Sequence, residues 1–147
     1  MCPEADATDD YLVPDDVPTY QVLCIDDDPA NLRLIRRVLA SRTDIRLLLA
    51  EGGMEGLLIA ETTAPNLVLL DAVMPDLAGI EVARRLFGSP VTAMTPVVVV
   101  SGQMTDERRR EMAAIGVTEF LDKPWTVAQL LEVVGRFLPA RAGMPPA

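Results

Sequence analysis

The chain has 147 residues, half of them apolar, a formal net charge of −9 and no histidine. That length suits one domain with a core of its own, and the acidic balance argues against duplex nucleic acid or an anionic membrane as a direct partner. The missing histidine removes Ser-His and Cys-His nucleophile pairs, histidine zinc sites and phosphohistidine chemistry within the chain. Cys2 and Cys24 lie far apart with no CxxC, which speaks against a disulfide framework or a thiolate metal site and suits a reducing cytoplasm. No apolar run approaches the ~18 residues that span a membrane, and the N-terminus is acidic where a secretory signal is basic and then apolar. A soluble cytoplasmic protein is expected.

Residues 1–19 hold six acids, three prolines and no base, so they read as a flexible acidic arm. The body, residues 20–138, then alternates apolar runs with amphipathic stretches. Tyr20–Ile25 is a strand ending at Asp26-Asp27-Asp28, where a helix can start with Asp28 as N-cap and Pro29 at its first position. Leu32, Ile35, Val38 and Leu39 follow at helical spacing. Ile45–Ala50 is a second strand, closed by Gly52-Gly53, and residues 54–62 form a short helix with Leu57, Leu58 and the small Ala60. Residues 67–70 (LVLL) are a third strand, continuously apolar as a strand covered on both faces would be, ending at Asp71. A helix over 79–87 turns Ile80, Val82, Ala83 and Leu86 inward. Residues 97–100 (VVVV) are a fourth strand, ending at Ser101-Gly102. A helix over 106–114 precedes a short strand at 119–121, then Lys123-Pro124. Thr126 and Gln129 have the spacing of a capping box that opens a last helix, reaching Leu138. Residues 139–147 are a loose Pro/Ala/Gly tail. Strict alternation of five strands and five helices predicts an α/β fold, a doubly wound parallel sheet covered on both faces.

In such sheets ligands bind beyond the carboxyl ends of the strands, where the strand order reverses; for the order 2-1-3-4-5 that point lies between the first and third strands. The first strand ends in Asp26 and Asp27, the third in Asp71, the fourth in Ser101 and the fifth in Lys123, the only lysine beside twelve arginines. Three clustered carboxylates repel one another without a cation. Their hard oxygens suit Mg²⁺ or Mn²⁺. A lysine offers a compact charge for a phosphoryl group, and an aspartate can itself accept one as an aspartyl-phosphate. The residues point to a metal-dependent phosphoryl-accepting site.

Four segments in register carry a family resemblance: CIDDDP, LLDAVMPDLAG, VVVVSGQ and FLDKPW. Over residues 20–138 the chain resembles the receiver domain of two-component response regulators, a flavodoxin-like fold with strand order 2-1-3-4-5. The resemblance implies that Asp71 is the phosphoacceptor and that Asp26 and Asp27 are the metal-binding acid pair, Asp27 the more direct ligand. It implies the carbonyl of Val73 as a backbone ligand, Ser101 as the switch hydroxyl and Lys123 as the lysine that ties the phosphoryl group to the fold, with a cis bond to Pro124. Phe120 takes the place of the aromatic that turns inward on activation. The implied partners are a histidine kinase or histidine phosphotransfer protein and a downstream protein met on the face of the fourth helix, fifth strand and fifth helix, by a monomer or a phosphorylation-dependent dimer. KPW resembles receivers attached to enzymatic output domains, yet the sequence contains no such domain.

Taken singly, these residues have plainer readings. Asp28 is a helix cap, Ser101-Gly102 a turn and Lys123 a surface lysine; together, at four strand ends, those readings are hard to sustain. Trp125 reads either as a helix-start residue packed on the sheet edge or as a contact on the output face. Arg108, Arg109 and Arg110 read as a solvated helix face, and Cys24 as a buried strand residue. Two functions compete with a stand-alone response regulator. One is a protein-interaction module of the same fold that needs no phosphorylation, against which the complete set of five polar residues argues. The other is an aspartate-nucleophile phosphatase of the haloacid dehalogenase type, which places a second Asp two residues after the nucleophile, where this chain has Val73. The expectation is a phosphoacceptor, not a turnover enzyme, with Val73 and Gln103 flanking the site and affecting hydrolysis of the acyl phosphate.

Overall fold

A computed structural model describes residues 20–140. The acidic arm at 1–19 and residues 141–147 of the expected tail lie outside that range. The chain runs β1 (Tyr20–Ile25), α1 (Pro29–Leu39), β2 (Ile45–Ala50), α2 (Gly53–Thr63), β3 (Leu67–Asp71), α3 (Gly79–Gly88), β4 (Val97–Ser101), α4 (Asp106–Ile115), β5 (Glu119–Asp122) and α5 (Val127–Phe137).

All five strands are parallel, in the order β2-β1-β3-β4-β5. β1 is the pivot. Its residues pair with β2 on one side (Ile25 opposite Ala50) and with β3 on the other (Ile25 opposite Leu70). The chain therefore steps outward to β2, returns past β1 to β3, and continues in one direction through β4 and β5. The reversal falls between β1 and β3, as the sequence reading placed it.

The alternation of side chains along a strand divides β1 between two cores. Leu23 and Ile25 join Val68, Leu70, Val97 and Val99 under α2, α3 and α4. Val22 and Cys24 join Leu67, Leu69, Val98 and Val100 against α1 and α5. β3 and β4 are buried along their whole length, which is why their sequences are unbroken apolar runs.

The expected helix signals are present. Asp28 caps α1 by accepting the Ala30 N–H at 3.0 Å, with Pro29 in the first turn. Thr126 and Gln129 form the reciprocal capping box of α5. α2 differs from its expected packing. Its buried residues are Gly53, Gly56 and Ala60, while Leu58 is 66% exposed. The reason is steric: a Cβ on Gly56 would lie 2.4 Å from Cδ1 of Ile25, so the helix is drawn onto the sheet through its smallest residues. In α3, Val82, Ala83 and Leu86 are buried as expected, but Ile80 is only partly so.

The end of the sheet opposite the strand tips is tied by a buried charge pair. Arg42 donates to both carboxylate oxygens of Asp44, at 2.8 and 2.9 Å, and to the carbonyl of Leu138 at 2.8 Å. Both side chains are nearly inaccessible, at 3% and 0% exposed. The Tyr20 hydroxyl donates to the carbonyl of Pro139 at 2.8 Å, so the exit of α5 is held to the start of β1.

Candidate functional site

The carboxyl edge of the sheet gathers the residues singled out at the strand ends. Asp26 follows β1 directly and is 4% exposed; Asp71 is the last residue of β3 and is 8% exposed. Asp27 beside them is exposed. One oxygen from each of the three carboxylates lies within 4.8 Å of the others. Lys123, just past β5, reaches in from the other side, its ammonium 3.6 Å from an Asp71 oxygen and 3.7 Å from an Asp26 oxygen. Ser101 closes β4, and its hydroxyl accepts the Gln103 N–H at 3.2 Å. Asp71, Ser101, Lys123, Val73 and Gln103 line one cleft open to solvent.

Each acid is held by its neighbours. Asp26 accepts the N–H of Asp28 at 2.9 Å and the side-chain amide of Asn31 at 3.3 Å. Asp71 accepts the N–H of Val73 at 3.4 Å. Burial pushes the Asp71 carboxyl from its ordinary 3.8 up to about 6, and the nearby Asp26 charge adds to the push, as to a smaller extent does Asp27. Lys123 and the Val73 N–H pull the other way without offsetting it. Burial, with the Asp26 and Asp71 charges, raises the Cys24 thiol far above its usual range, so Cys24 is a protonated strand residue.

The donor set fits a hard divalent cation. Three carboxylates at this spacing, one of them reluctant to ionise unaided, gain from a cation that oxygen ligands prefer. Val73 lies at the rim, 63% exposed, two residues beyond Asp71. The Lys123-Pro124 peptide bond is cis.

Several residues take more definite roles than the sequence assigned. Trp125 is half-buried, packs with the core on the α1 and α5 side, and lines a hollow below the site with Asp26, Asn31 and Lys123. Its packed reading is the one that fits this placement. Arg108 and Arg110 are solvent-exposed, but the Arg109 guanidinium lies 5.1 Å over the centre of the half-buried Phe120 ring and bonds Asp122 at 2.6 Å. Sequence reasoning missed Asn31 and Asp76. Asn31 gives a signal only once the first turn of α1 is wound, which brings it back over Asp26. Asp76, in the loop after β3, accepts the N–H groups of Gly53 and Met54 in the first turn of α2, both at 3.0 Å, a contact between segments far apart in sequence. Those two N–H groups hold its carboxyl below the usual carboxylate range.

The profile of the response regulator receiver domain family matches residues 22–135. Protein PilH of Pseudomonas aeruginosa is 28% identical over 118 residues, which cover 80% of this chain and 97% of PilH. The signal transduction histidine-protein kinase BarA of Escherichia coli K12 is 28% identical over 118 residues, 80% of this chain and 13% of the kinase. This chain thus spans only a small part of the length of the sensor kinases it matches. Among solved structures, the receiver domain of the sensor histidine kinase PA1611 from P. aeruginosa PAO1, with a magnesium ion coordinated in its active site cleft, has a TM-score of 0.73 at 23% identity. The overlap covers 80% of this chain and 96% of that one, and at this identity it shows a shared fold. The sheet order, the acids at the switch point and the family profile agree: the chain belongs to the response regulator receiver domain family.

Proposed function

We propose that the chain is a response regulator that accepts a phosphoryl group on Asp71 from a histidine kinase or a histidine phosphotransfer protein. The observation that carries this reading is the setting of Asp71. Its carboxylate is buried between Asp26 and Lys123, yet it lines a cleft that a phosphoryl donor can enter. An Asp71 oxygen attacks phosphorus as the bond to the donor's imidazole nitrogen breaks, and that nitrogen keeps the electron pair. Lys123, within reach of Asp71, neutralises charge on the transferred group, and the Ser101 hydroxyl can turn from the Gln103 N–H toward it. Asp26, Asp27, Asp71 and the Val73 carbonyl would hold Mg²⁺ or Mn²⁺, which supplies charge neutralisation at the phosphoryl oxygens.

The site is built for one stoichiometric transfer, not turnover. A phosphatase of the aspartate-nucleophile type would need a general acid two residues after Asp71, and that place is held by Val73. The signal passes to a partner protein over the face of α4, β5 and α5, where Phe120 lies under Arg109. The proposed place of action is the cytoplasm. Among the described residues no helix is long and apolar enough to cross a membrane.

The test is intact mass after incubation with a small acyl-phosphate donor, with and without Mg²⁺, beside Asp71→Ala. Wild type gains one phosphoryl group, only with the metal, and Asp71→Ala gains none. Gain by Asp71→Ala refutes the assignment. No gain from the small donor or from candidate kinases favours a phosphorylation-independent interaction module.

A further inference from the structure

α2 starts without a cap of its own. Its N-cap is Gly52, which has no side chain to offer the unpaired N–H groups of the first turn. Asp76 supplies the cap from a distance, one carboxylate oxygen for Gly53 and the other for Met54. Asp76 stands in the loop that leaves β3 at Asp71 and enters α3 at Gly79.

That loop is fastened at its base. Ala72 donates to the carbonyl of Val100 at 3.3 Å and accepts the Gly79 N–H at 3.1 Å. A Cβ on Gly79 would lie 2.8 Å from Ala72 backbone atoms, so the two ends of the loop touch. Its outer part rests on α2: a Cβ on Gly53 would lie 2.9 Å from the Leu77 Cβ, and one on Gly52 would lie 3.0 Å from Asp76 Oδ2. Val73 lies between base and tip, mostly exposed, and its N–H donates to Asp71 across a long 3.4 Å.

We infer that Asp76 is a positioning residue: by clamping the loop to the first turn of α2, it fixes Val73 and the Asp71 carboxylate in register with Asp26 and Asp27. The inference rests on the reading of this cluster as a Mg²⁺-dependent phosphoacceptor site. The plainer role for Asp76 is to stabilise α2 and nothing else. The two roles separate because α2 can be capped locally. Gly52 has an extended backbone (φ −167°, ψ 167°) that serine adopts readily, and removing the Asp76 carboxylate clears the space its side chain needs.

The experiment compares the full chain as wild type, Asp76→Ala, and Asp76→Ala with Gly52→Ser. Three quantities are read: the urea midpoint, Mg²⁺ affinity by calorimetry, and exchange of the Val73 amide by NMR. Asp76→Ala lowers the midpoint, weakens Mg²⁺ binding about tenfold, as loss of a supporting residue around a metal site does, and speeds Val73 exchange. Adding Gly52→Ser restores the midpoint but neither the Mg²⁺ affinity nor the Val73 protection. Recovery of all three in the double variant, or wild-type Mg²⁺ affinity in Asp76→Ala, overturns the inference and leaves the phosphoacceptor reading standing. A wild-type chain that neither binds Mg²⁺ nor takes a phosphoryl group overturns both.

Discussion

Replacing Asp71 by Asn should make the metal-free protein more stable near neutral pH while abolishing its proposed function. Folding carries Asp71 from an ordinary 3.8 to about 6, through burial first and the Asp26 charge second. Between those values the folded chain holds a proton that the unfolded chain has already released. Stability contributed at this site therefore falls as pH rises through the window, and the full penalty is present above it. The shift corresponds to about 3 kcal/mol of disfavoured ionisation. The cleft beside Asp71 opens to solvent, and screening there reduces the usable part to roughly 1–2 kcal/mol. Asn removes the charge, keeps the size and can still accept the Val73 N–H. In urea titrations without metal at pH 7.5, Asp71→Asn should unfold at a midpoint roughly 0.5–1 M above wild type, for a typical dependence on denaturant. The gap should close toward zero as pH falls to about 4 and below, where the unfolded wild type also takes up its proton. Mg²⁺ at pH 7.5 should also narrow it, by stabilising wild type through binding. A variant less stable than wild type at pH 7.5, or a gap constant from pH 4 to 7.5, would refute the electrostatic account of this site.

Other perturbations test the surroundings. Arg42→Met leaves Asp44 buried without its bidentate partner and should cost about 3–5 kcal/mol in chemical denaturation; a loss under ~1 kcal/mol would mean that water reaches this pair. Gly56→Ala gains about 1 kcal/mol of helix propensity, but its Cβ meets Ile25, and the overpacking cost of about 1–3 kcal/mol should leave a net loss in the same assay. Lys123→Met removes the ammonium 3.6 Å from Asp71, so in paired carboxyl-carbon NMR titrations Asp71 should titrate higher in the variant than in wild type; an unchanged or lower value would contradict the placement of Lys123 beside Asp71. Arg109→Ala should lower stability by no more than ~1 kcal/mol, the scale of an exposed cation–π contact, while shifting the Phe120 ring resonances in NMR spectra.

Much of this molecule can be read along the chain. The runs at β3 and β4 are apolar up to their last residues because both faces of those strands are covered. Asp28-Pro29 and Thr126–Gln129 signal helix starts through local hydrogen bonds, which need no tertiary partner. α2 was less legible. It is apolar nearly all round, so spacing cannot say which side is inward, and the side chosen is the one where Gly56 lets Ile25 in.

The candidate site divides the same way. Asp26, Asp27, Asp71, Ser101 and Lys123 are visible in the sequence because each stands at a strand end, and parallel strands in one sheet must deliver their ends to one edge. What they do to one another needed the fold. The burial that raises Asp71, the reach of Lys123 to two acids at once, the return of Asn31 over Asp26 and the clamp of Asp76 on α2 all depend on distances across elements. Nothing in the sequence marks Arg42 and Asp44 as buried; the fold buries both, with Arg42 bonded to the end of α5 at Leu138. Sequence by itself determined which residues meet at the edge of the sheet, since that follows from local pattern and chain order. Tertiary structure alone decided which of them are buried, paired or strained in charge, since those energies fall off within a few ångströms and are set by neighbours that the linear chain keeps far apart.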